Sequence, residues 1–486
     1  MYPHLDKGIV LQITDFLVVF YWLLTASVFL RVIFKRRPVS SSLAWVLIIV
    51  VFPFLGVLIY LFFGEIHLGK RRAERAHALR TPFLENLTKF LSGHETPPPP
   101  GHAARAIYQI MHQRDGIGGL SYKNFSVLSD PDNIFDQWIR DIEHAERDIR
   151  MEFYIWHPHG RVTEVTEALI TAAKRGVSIE ILVDHAGSWS FFMFSRDLKR
   201  MRAAGIKLLP TLPVNLFRNL FRRVDLRLHR KLIVIDHVTC YTGSMNMADP
   251  RYFNAHKKFG PWIDIMLRFE GAAAFGVSKV FSWDWELETG ERNFPQLKTE
   301  LATCEQWLSI IPSGPGQGEA VMHQIMLSMI HRANTSITIA TPYFVPSEAI
   351  FEALCHAAQR NVDVCILLPK VSDSKIASFA SESFYSGLLD AGVEIRLFHQ
   401  GLLHAKAIVV DSELALVGSM NIDMRSLQLN FELSVALYDA ESCKDVCNLL
   451  NTYKEQSNTV DVEAWHERPS YRHIAERFMY FLSPLL

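Results

Sequence analysis

Apolar residues are concentrated at the start of the chain, in two long stretches that precede a more evenly mixed region. Residues 9–34 are interrupted only by Asp15 and Arg31, and residues 43–63 carry no charge. Each stretch is long enough to cross the roughly 30 Å hydrocarbon core of a bilayer as a helix. A cleaved signal peptide would have one shorter apolar region. We therefore expect a transmembrane helical hairpin in residues 1–66.

The sequence leaves two points about this hairpin open. A buried hairpin of a soluble protein is the alternative to a membrane hairpin. The orientation is also undecided, because basic residues lie between the two stretches (residues 35–37) and again after the second (residues 70–75). In residues 67–106 we expect a juxtamembrane helix followed by a linker, because a proline run from Pro97 to Pro100 is typical of a semi-rigid spacer.

The rest of the chain alternates amphipathic helices with apolar strands, and it does so twice. Residues 167–183 read EALITAAKRGVSIEILV and residues 352–368 read EALCHAAQRNVDVCILL. Each segment predicts an amphipathic helix, a turn and a buried strand. Strands that alternate with helices predict a mixed or largely parallel sheet covered by helices. We expect an α/β fold with two similar lobes, residues 107–290 and 305–486, that meet at a pseudo-twofold axis.

Each predicted lobe contains one copy of a polar motif beside a β-branched run. LHRKLIVIDHVTCYTGSMN occupies residues 228–246, and LHAKAIVVDSELALVGSMN occupies residues 403–421. Residues i and i+2 of a strand point to one face, so each His should project beside its Lys. Each Asp falls where the run breaks into turn-like sequence and need not share that face. The candidate residues are His229, Lys231, Asp236, Ser244 and Asn246 in the first copy, and His404, Lys406, Asp411, Ser419 and Asn421 in the second.

These side chains suit an anionic phosphate. Lysines supply positive charge, while Ser, Asn and backbone amides hydrogen-bond to phosphoryl oxygens. A histidine with an ordinary pKa near neutrality can serve as a nucleophile or as a general acid and base. Two matched copies favour one shared active site over the alternative that each His-Lys pair merely lies at a strand end near the surface. Nothing in this chemistry requires a metal, and we expect neither a metal nor a cofactor.

Overall composition argues against a nucleic-acid partner. Fifty basic and 51 acidic residues give a net charge of −1, whereas phosphate-backbone binding favours a strongly basic surface. The six cysteines show no paired spacing typical of zinc sites. We therefore expect no nucleic-acid partner and no zinc site.

At the two motifs the sequence resembles the phospholipase D superfamily, whose members carry paired His-Lys-Asp motifs. The resemblance implies two phospholipase D-like lobes and phosphodiester exchange through a covalent phosphohistidine, with one histidine from each lobe. It assigns His229, Lys231, Asp236, His404, Lys406 and Asp411 to the catalytic group. It also implies that an acid further along the chain orients each imidazole, and the matching acids are Asp264 and Glu432.

The layout as a whole is similar to that of bacterial membrane-bound phosphatidyltransferases of this superfamily. This similarity implies a multi-pass protein of the bacterial inner membrane that acts on phosphatidylglycerol. The expected reaction transfers a phosphatidyl group to a second phosphatidylglycerol and releases glycerol, with His229 favoured as the nucleophile. A phospholipase D that uses water, and a membrane-tethered nuclease, are the alternatives. The sequence does not predict the oligomeric state, the membrane face, or whether phosphatidylethanolamine replaces one substrate.

Overall fold

The computed structural model describes residues 7–35, 39–65, 68–91, 99, 101–214, 223, 225–255, 257, 259–294, 306–315 and 321–482. The helices are α1 (Lys7–Phe34), α2 (Val39–Val51), α3 (Pro53–Phe63), α4 (Lys70–Leu91), α5 (His102–Asp115), α6 (Pro131–His144), α7 (Arg161–Lys174), α8 (Trp189–Phe194), α9 (Arg196–Ala203), α10 (Ala272–Thr289), α11 (Val321–Arg332), α12 (Glu348–Gln359), α13 (Lys375–Asp390), α14 (Met424–Gln428), α15 (Ala440–Glu455), α16 (Val462–His466) and α17 (Ser470–Leu482). The strands are β1 (Leu120–Leu128), β2 (Asp148–Phe153), β3 (Ser178–Asp184), β4 (Lys207–Thr211), β5 (Leu232–Ile235), β6 (Thr239–Gly243), β7 (Trp262–Ile263), β8 (Met266–Glu270), β9 (Gln306–Ser313), β10 (Ser336–Ala340), β11 (Phe344–Val345), β12 (Asp363–Pro369), β13 (Glu394–Phe398), β14 (Leu402–Leu403), β15 (Ala407–Val410), β16 (Leu414–Gly418), β17 (Ile422–Asp423), β18 (Glu432–Leu437) and β19 (Ser457–Thr459).

The two apolar stretches at the start of the chain fold differently from one another. The first is a continuous helix, α1, and its segment Thr14–Phe34 is the one described helix that is long and apolar enough to cross a bilayer. The second breaks at Pro53, which has no N–H to continue a helix, and becomes α2 and α3. Ring centroids of Trp45 and Tyr60 lie 5.3 Å apart, whereas a continuous helix would separate these residues by roughly 22 Å. The structure therefore does not confirm a second continuous span.

Helix α4 connects this apolar region to the rest of the protein. Arg72 forms a bidentate ion pair with Glu288 at the end of α10, with Nη2 and Oε2 2.6 Å apart. Phe83 packs edge-on against Trp283 of α10, with ring centroids 5.1 Å apart. The predicted juxtamembrane helix thus packs directly on the α/β region. Most of the predicted linker, residues 96–98 and 100, lies outside the described residues.

The predicted mixed sheet with two related lobes is confirmed. Fifteen strands form one sheet in the order β19-β13-β12-β10-β15-β16-β18-β9-β1-β8-β6-β5-β2-β3-β4. The halves join where β1 pairs antiparallel with β9, and reading outward from this junction gives the same succession of seven strands on both sides, with β19 as an additional strand at the edge of the second half. In each half, three parallel strands adjoin antiparallel strands that include the motif strand, β5 or β15.

Helices cover both faces of the sheet, and one of them crosses between the halves. Helices α6 and α7 cover the first half, while α11 to α13 cover the second, and α10 packs beneath the junction. Helix α5 precedes the first half in sequence, yet Ile107 and Met111 pack in the same core as Met326 of α11. The packing therefore places the region around residue 107, where the sequence predicts that the first lobe begins, in the core of the second half.

Candidate active site

The site lies where short segments of one half pair with segments of the other. Leu403 of β14 pairs with Ile263 of β7, and the His404 N–H donates to the Ile263 carbonyl at 2.8 Å. The equivalent contact joins Leu228 to Phe431, and the His229 N–H donates to the Phe431 carbonyl at 2.9 Å. This register places each motif histidine beside an acid from the opposite half.

His229 lies against Glu432. Both carboxylate oxygens of Glu432 are 2.9 Å from His229 Nδ1, and the Glu432 side chain is completely buried. A carboxylate only accepts hydrogen bonds, so Nδ1 carries the proton and Nε2 keeps its lone pair. Burial lowers the pKa of His229 to about 4, although Glu432 opposes this shift. The imidazole is therefore neutral at pH 7 and has the form required of a nucleophile.

His404 has the same kind of partner in a more apolar setting. Asp264 Oδ1 accepts from His404 Nδ1 at 2.6 Å. The indole of Trp262 stacks on the imidazole, with centroids 4.2 Å apart and planes inclined by 28°. Burial lowers the pKa of His404, and Lys406 adds to this effect while Asp264 opposes it. The predicted pairing of each histidine with Asp264 or Glu432 thus has matching geometry in the structure.

The two motif serines contact the acids. Ser244 Oγ donates to Asp264 Oδ1 at 2.6 Å, and Ser419 Oγ donates to Glu432 Oε2 at 2.6 Å. Burial opposes ionisation of these carboxyl groups, but the facing imidazoles and lysines outweigh it and lower the pKa of both. Each serine therefore helps to orient a histidine through its acid.

The motif asparagines differ from one another. Asn246 Oδ1 accepts from the Ile155 N–H at 3.1 Å and so holds the chain after β2. Asn421 Oδ1 is buried and has no hydrogen-bond partner within the described residues. Of the two amides, the Asn421 carbonyl group is therefore the one that retains hydrogen-bonding capacity at the site.

Both lysines are buried beside their histidines. Lys231 Nζ donates to the His229 carbonyl at 2.6 Å, and Lys406 Nζ donates to the His404 carbonyl at 2.5 Å. Burial lowers the pKa of Lys406 to about 8 and places that of Lys231 well below its usual value. Each ammonium also lowers the pKa of the histidine in the other half. The two His-Lys pairs therefore converge on one site.

The structure does not bring the motif aspartates into this cluster. Asp236 and Asp411 each occupy the first of two left-handed residues in a tight turn, with φ of 52°. Asp411 carboxylate oxygens accept from the backbone N–H groups of Asn334, Thr335 and Ser336 at 2.8–2.9 Å. Asp236 makes the equivalent contacts in the first half. These carboxylates lie at the opposite ends of the motif strands from the histidines and bind backbone N–H groups there, so the structure lends no support to their predicted membership of the catalytic group.

Sequence reasoning missed three residues that shape the site. Tyr154 lies edge-on to His229, with ring centroids 5.2 Å apart, and Trp262 stacks on His404. Arg230, the variable residue of the first motif, is fully buried and forms an ion pair with Asp284 of α10. The position of Trp262 two residues before Asp264 is the one signal in the sequence that indicates its role. Tyr154 and Arg230 carry no repeated signal, because the second half has other residues at their places.

A two-lobed sheet with converging His-Lys pairs and crossed acids defines an enzyme of the phospholipase D class. A family model described as "Cardiolipin synthase, PLD-like domain" matches residues 138–257 and 326–453, and a phospholipase D-nuclease N-terminal model matches residues 23–65. The chain belongs to the cardiolipin synthase family.

Relatives agree with this assignment, and a solved structure shares the fold. The chain is 44% identical over 477 residues to cardiolipin synthase A of Klebsiella pneumoniae, covering 96% of this chain and 97% of that protein. It is also 44% identical over 474 residues to cardiolipin synthase A of Wigglesworthia glossinidia brevipalpis, covering 96% and 95%. The crystal structure of phosphatidylserine synthase from Haemophilus influenzae matches in fold, with a TM-score of 0.57, 13% identity and coverage of 76% of this chain and 97% of that one.

Proposed function

We propose that the chain synthesises cardiolipin by transferring the phosphatidyl group of one phosphatidylglycerol to a hydroxyl of another, with release of glycerol. The observation that carries this proposal is the pair of His-acid contacts, each built from both halves, beside two buried lysines. Two histidines that face one site suit a double displacement, in which one is the nucleophile and the other handles the proton. The relatives named cardiolipin synthase A support the choice of substrate.

In the first step, Nε2 of His229 attacks the phosphorus of the donor lipid. The bond between phosphorus and the glycerol oxygen breaks as a bond between phosphorus and nitrogen forms. His404 gives its proton to the departing glycerol oxygen, and the ammonium groups of Lys231 and Lys406 offset the charge that builds up on the phosphoryl oxygens. An arriving anionic phosphate favours the protonated form of His404, because opposite charges stabilise one another.

In the second step, a hydroxyl of the acceptor lipid attacks the same phosphorus. The phosphorus–nitrogen bond breaks, His229 is restored, and His404 takes the hydroxyl proton, so each histidine ends in its starting form. Glu432 keeps the Nδ1 proton of His229 in place through both steps. The cycle consumes two phosphatidylglycerols and yields one cardiolipin and one glycerol.

We further propose that the protein is embedded in the bacterial inner membrane through both N-terminal apolar segments. Helix α1 is long enough to span a bilayer, and the α2–α3 pair is apolar with many exposed hydrophobic side chains. Helix α4 packs on α10, so the α/β region is held close to the membrane surface. This position makes a lipid hydroxyl the nearest nucleophile and limits competition from water.

Product analysis with the full chain in vesicles tests this proposal. Phosphatidylglycerol vesicles should yield cardiolipin and free glycerol, whereas phosphatidic acid as the main product would indicate the alternative phospholipase D reaction. His229→Ala and His404→Ala should each abolish transfer, because each step needs both groups. His466→Ala, which alters a half-exposed histidine of α16, is the matched control and should keep full activity. Near-normal transfer by either active-site variant would contradict the two-histidine mechanism.

A further inference from the structure

The surroundings of the two histidines break the pseudo-twofold symmetry. Arg227 precedes His229 by two residues, and the equivalent residue before His404 is Leu402. Arg425 follows the second Gly-Ser-Met-Asn sequence by four residues, and the equivalent residue after the first is Pro250. Leu402 packs in a small apolar core with Phe259 and Trp262, beside His404. Arginines therefore occupy two positions on the His229 side whose equivalents on the His404 side are apolar residues.

Both arginines are tied to the segment that leads into His229, because Arg227 lies two residues before it and Arg425 donates to the carbonyl of Asp225, four residues before it. Their positive charges act on the hydroxyl group of Tyr154, the residue whose ring contacts the His229 imidazole, and they oppose the rise in its pKa that burial and Asp184 cause. Arg227 Nε is 4.0 Å from Asp184 Oδ1, and the Leu228 N–H donates to the other oxygen of Asp184. The two guanidinium groups therefore belong to the His229 side of the site.

These guanidinium groups have N–H donors to spare. Arg425 donates to the Asp225 carbonyl at 2.7 Å and lies 3.4 Å from its carboxylate, which Arg223 already pairs at 2.6 and 3.0 Å. Arg227 donates to the Leu226 carbonyl at 2.7 Å. A guanidinium carries five N–H donors, so most of them remain available on both residues within the described part of the chain. The Arg425 side chain is 39% exposed, so a ligand from solvent or membrane has access to it.

We propose that Arg227 and Arg425 form an acceptor subsite that binds the phosphodiester of the second, anionic lipid. This inference rests on the proposed function, because the acceptor phosphatidylglycerol brings a phosphodiester of its own that takes no part in the reaction. The glycerol carbons separate that phosphate from the attacking hydroxyl, so it must bind one glycerol length from the reacting phosphorus. Lys231 and Lys406 serve the reacting phosphate, whereas Arg227 belongs to the segment that leads into His229 and Arg425 is hydrogen-bonded to that segment at Asp225. Paired guanidinium N–H donors match the geometry of phosphate oxygens.

This assignment predicts how one intermediate divides between two acceptors. A phosphatidyl-histidine formed from phosphatidylglycerol reacts either with a second phosphatidylglycerol or with free glycerol, which has no phosphate. Vesicles of phosphatidylglycerol diluted in phosphatidylcholine, incubated with labelled glycerol, report both outcomes in one reaction. Cardiolipin measures the anionic acceptor, and labelled phosphatidylglycerol measures glycerol exchange.

Arg227→Leu, which installs the residue of the equivalent position, and Arg425→Gln should lower the ratio of cardiolipin to labelled phosphatidylglycerol by about tenfold, as expected for loss of a charge-assisted contact. The exchange rate itself should remain close to that of the unaltered chain. Arg200→Gln, on the exposed side of α9, is the control and should leave the ratio unchanged. Because both products come from one intermediate, partial loss of folded protein does not alter the ratio.

Two results would overturn the acceptor subsite. An equal fall in cardiolipin and in exchange would mean that the arginines serve the donor phosphate or the fold, and unchanged rates of both reactions would mean that they bind no acceptor. Failure of the proposed function looks different, because the unaltered chain would then form no cardiolipin and would yield phosphatidic acid as its main product.

Discussion

Asp264 and His404 are 140 residues apart in sequence and belong to different halves, yet Asp264 Oδ1 lies 2.6 Å from His404 Nδ1. Glu432 and His229 form the reciprocal pair, with the histidine in the first half and the acid in the second, and Glu432 Oε1 lies 2.9 Å from His229 Nδ1. The strand register of each cross-half contact sets these distances, because Leu403 pairs with Ile263 and Leu228 pairs with Phe431. Each half thus supplies the histidine of one pair and the acid of the other.

Asp264→Asn should move the basic limb of the kcat/KM profile to lower pH. Asp264 raises the pKa of His404, so its removal lowers that pKa, and the proton needed by the leaving glycerol is lost earlier as pH rises. The rate at the optimum should fall by about 10²–10⁴-fold, the usual contribution of a positioned general acid. Glu432→Gln is the matched comparison, because Glu432 raises the pKa of His229 and its removal should move the acid limb instead. A basic limb that stays in place in Asp264→Asn would contradict the assignment of His404 as the acid.

Trp262→Leu should move the same limb in the other direction. The stacked indole helps to bury His404, and burial is the largest cause of its lowered pKa, so a smaller side chain should raise that pKa. We expect kcat to fall by about tenfold or less, because aromatic pairs contribute about 0.5–1.5 kcal/mol. Trp262→Phe keeps an aromatic ring, so its basic limb and its kcat should lie between those of the unaltered chain and those of Trp262→Leu. Opposite limb shifts in Trp262→Leu and Asp264→Asn, measured under one set of lipid conditions, would separate burial from charge.

Asp411→Ala should lower stability and leave catalysis per folded molecule nearly unchanged. Its carboxylate accepts from three backbone N–H groups, and their loss should cost about 1–3 kcal/mol of unfolding free energy. Asparagine tolerates the left-handed turn and keeps one side-chain oxygen, so Asp411→Asn should lose less unfolding free energy than Asp411→Ala. Because these N–H groups lower the folded-state pKa of Asp411, the contribution is present at neutral pH and is lost as pH falls below about 4. Thermal unfolding at several pH values, with activity normalised to folded protein, measures both effects. A large loss of kcat in Asp411→Asn would return Asp411 to the catalytic group.

Arg230→Met should destabilise the centre of the protein. Arg230 is fully buried, pairs with Asp284 and lies near Glu152, which is also fully buried and whose pKa burial raises to about 7. Removing Arg230 deprives the Asp284 and Glu152 carboxyl groups of its positive charge. Breaking a buried ion pair costs about 3–5 kcal/mol. Arg230→Met combined with Asp284→Leu should recover part of the loss, because it removes both members of the ion pair. Equal melting temperatures for the single and double variants would contradict this account.

The sequence predicted those features that depend on local pattern or on repetition. Alternating strands and helices, two halves and the His-Lys pairs were all evident, because each leaves a periodic or duplicated signal. The partners Asp264 and Glu432 came from the family resemblance, and their contacts depend on strand register between halves, which no local pattern specifies. Arg227 and Arg425 lay beyond prediction for the opposite reason, because an asymmetric residue leaves no second copy to compare.

Two predictions from the sequence are not confirmed, and turn and helix geometry explains why. The motif aspartates share their spacing with the catalytic residues, but a two-residue turn with positive φ directs them to the backbone of the preceding loop. The second apolar stretch has the length and composition of a membrane span, yet Pro53 divides it and Trp45 folds back onto Tyr60. Composition reports the affinity of a segment for an apolar environment, and it does not report whether the segment stays straight.

The placement of α5 has a consequence for how the protein can be divided. Ile107 and Met111 precede the first half but complete the core of the second, and each motif imidazole contacts a carboxylate from across the junction. If the chain were divided into two fragments near residue 300, each fragment would therefore expose a hydrophobic surface that the other fragment covers in the intact protein. We expect activity to return only when both fragments are produced together, as in split-protein complementation, with the rejoined pair behaving as an obligate heterodimer.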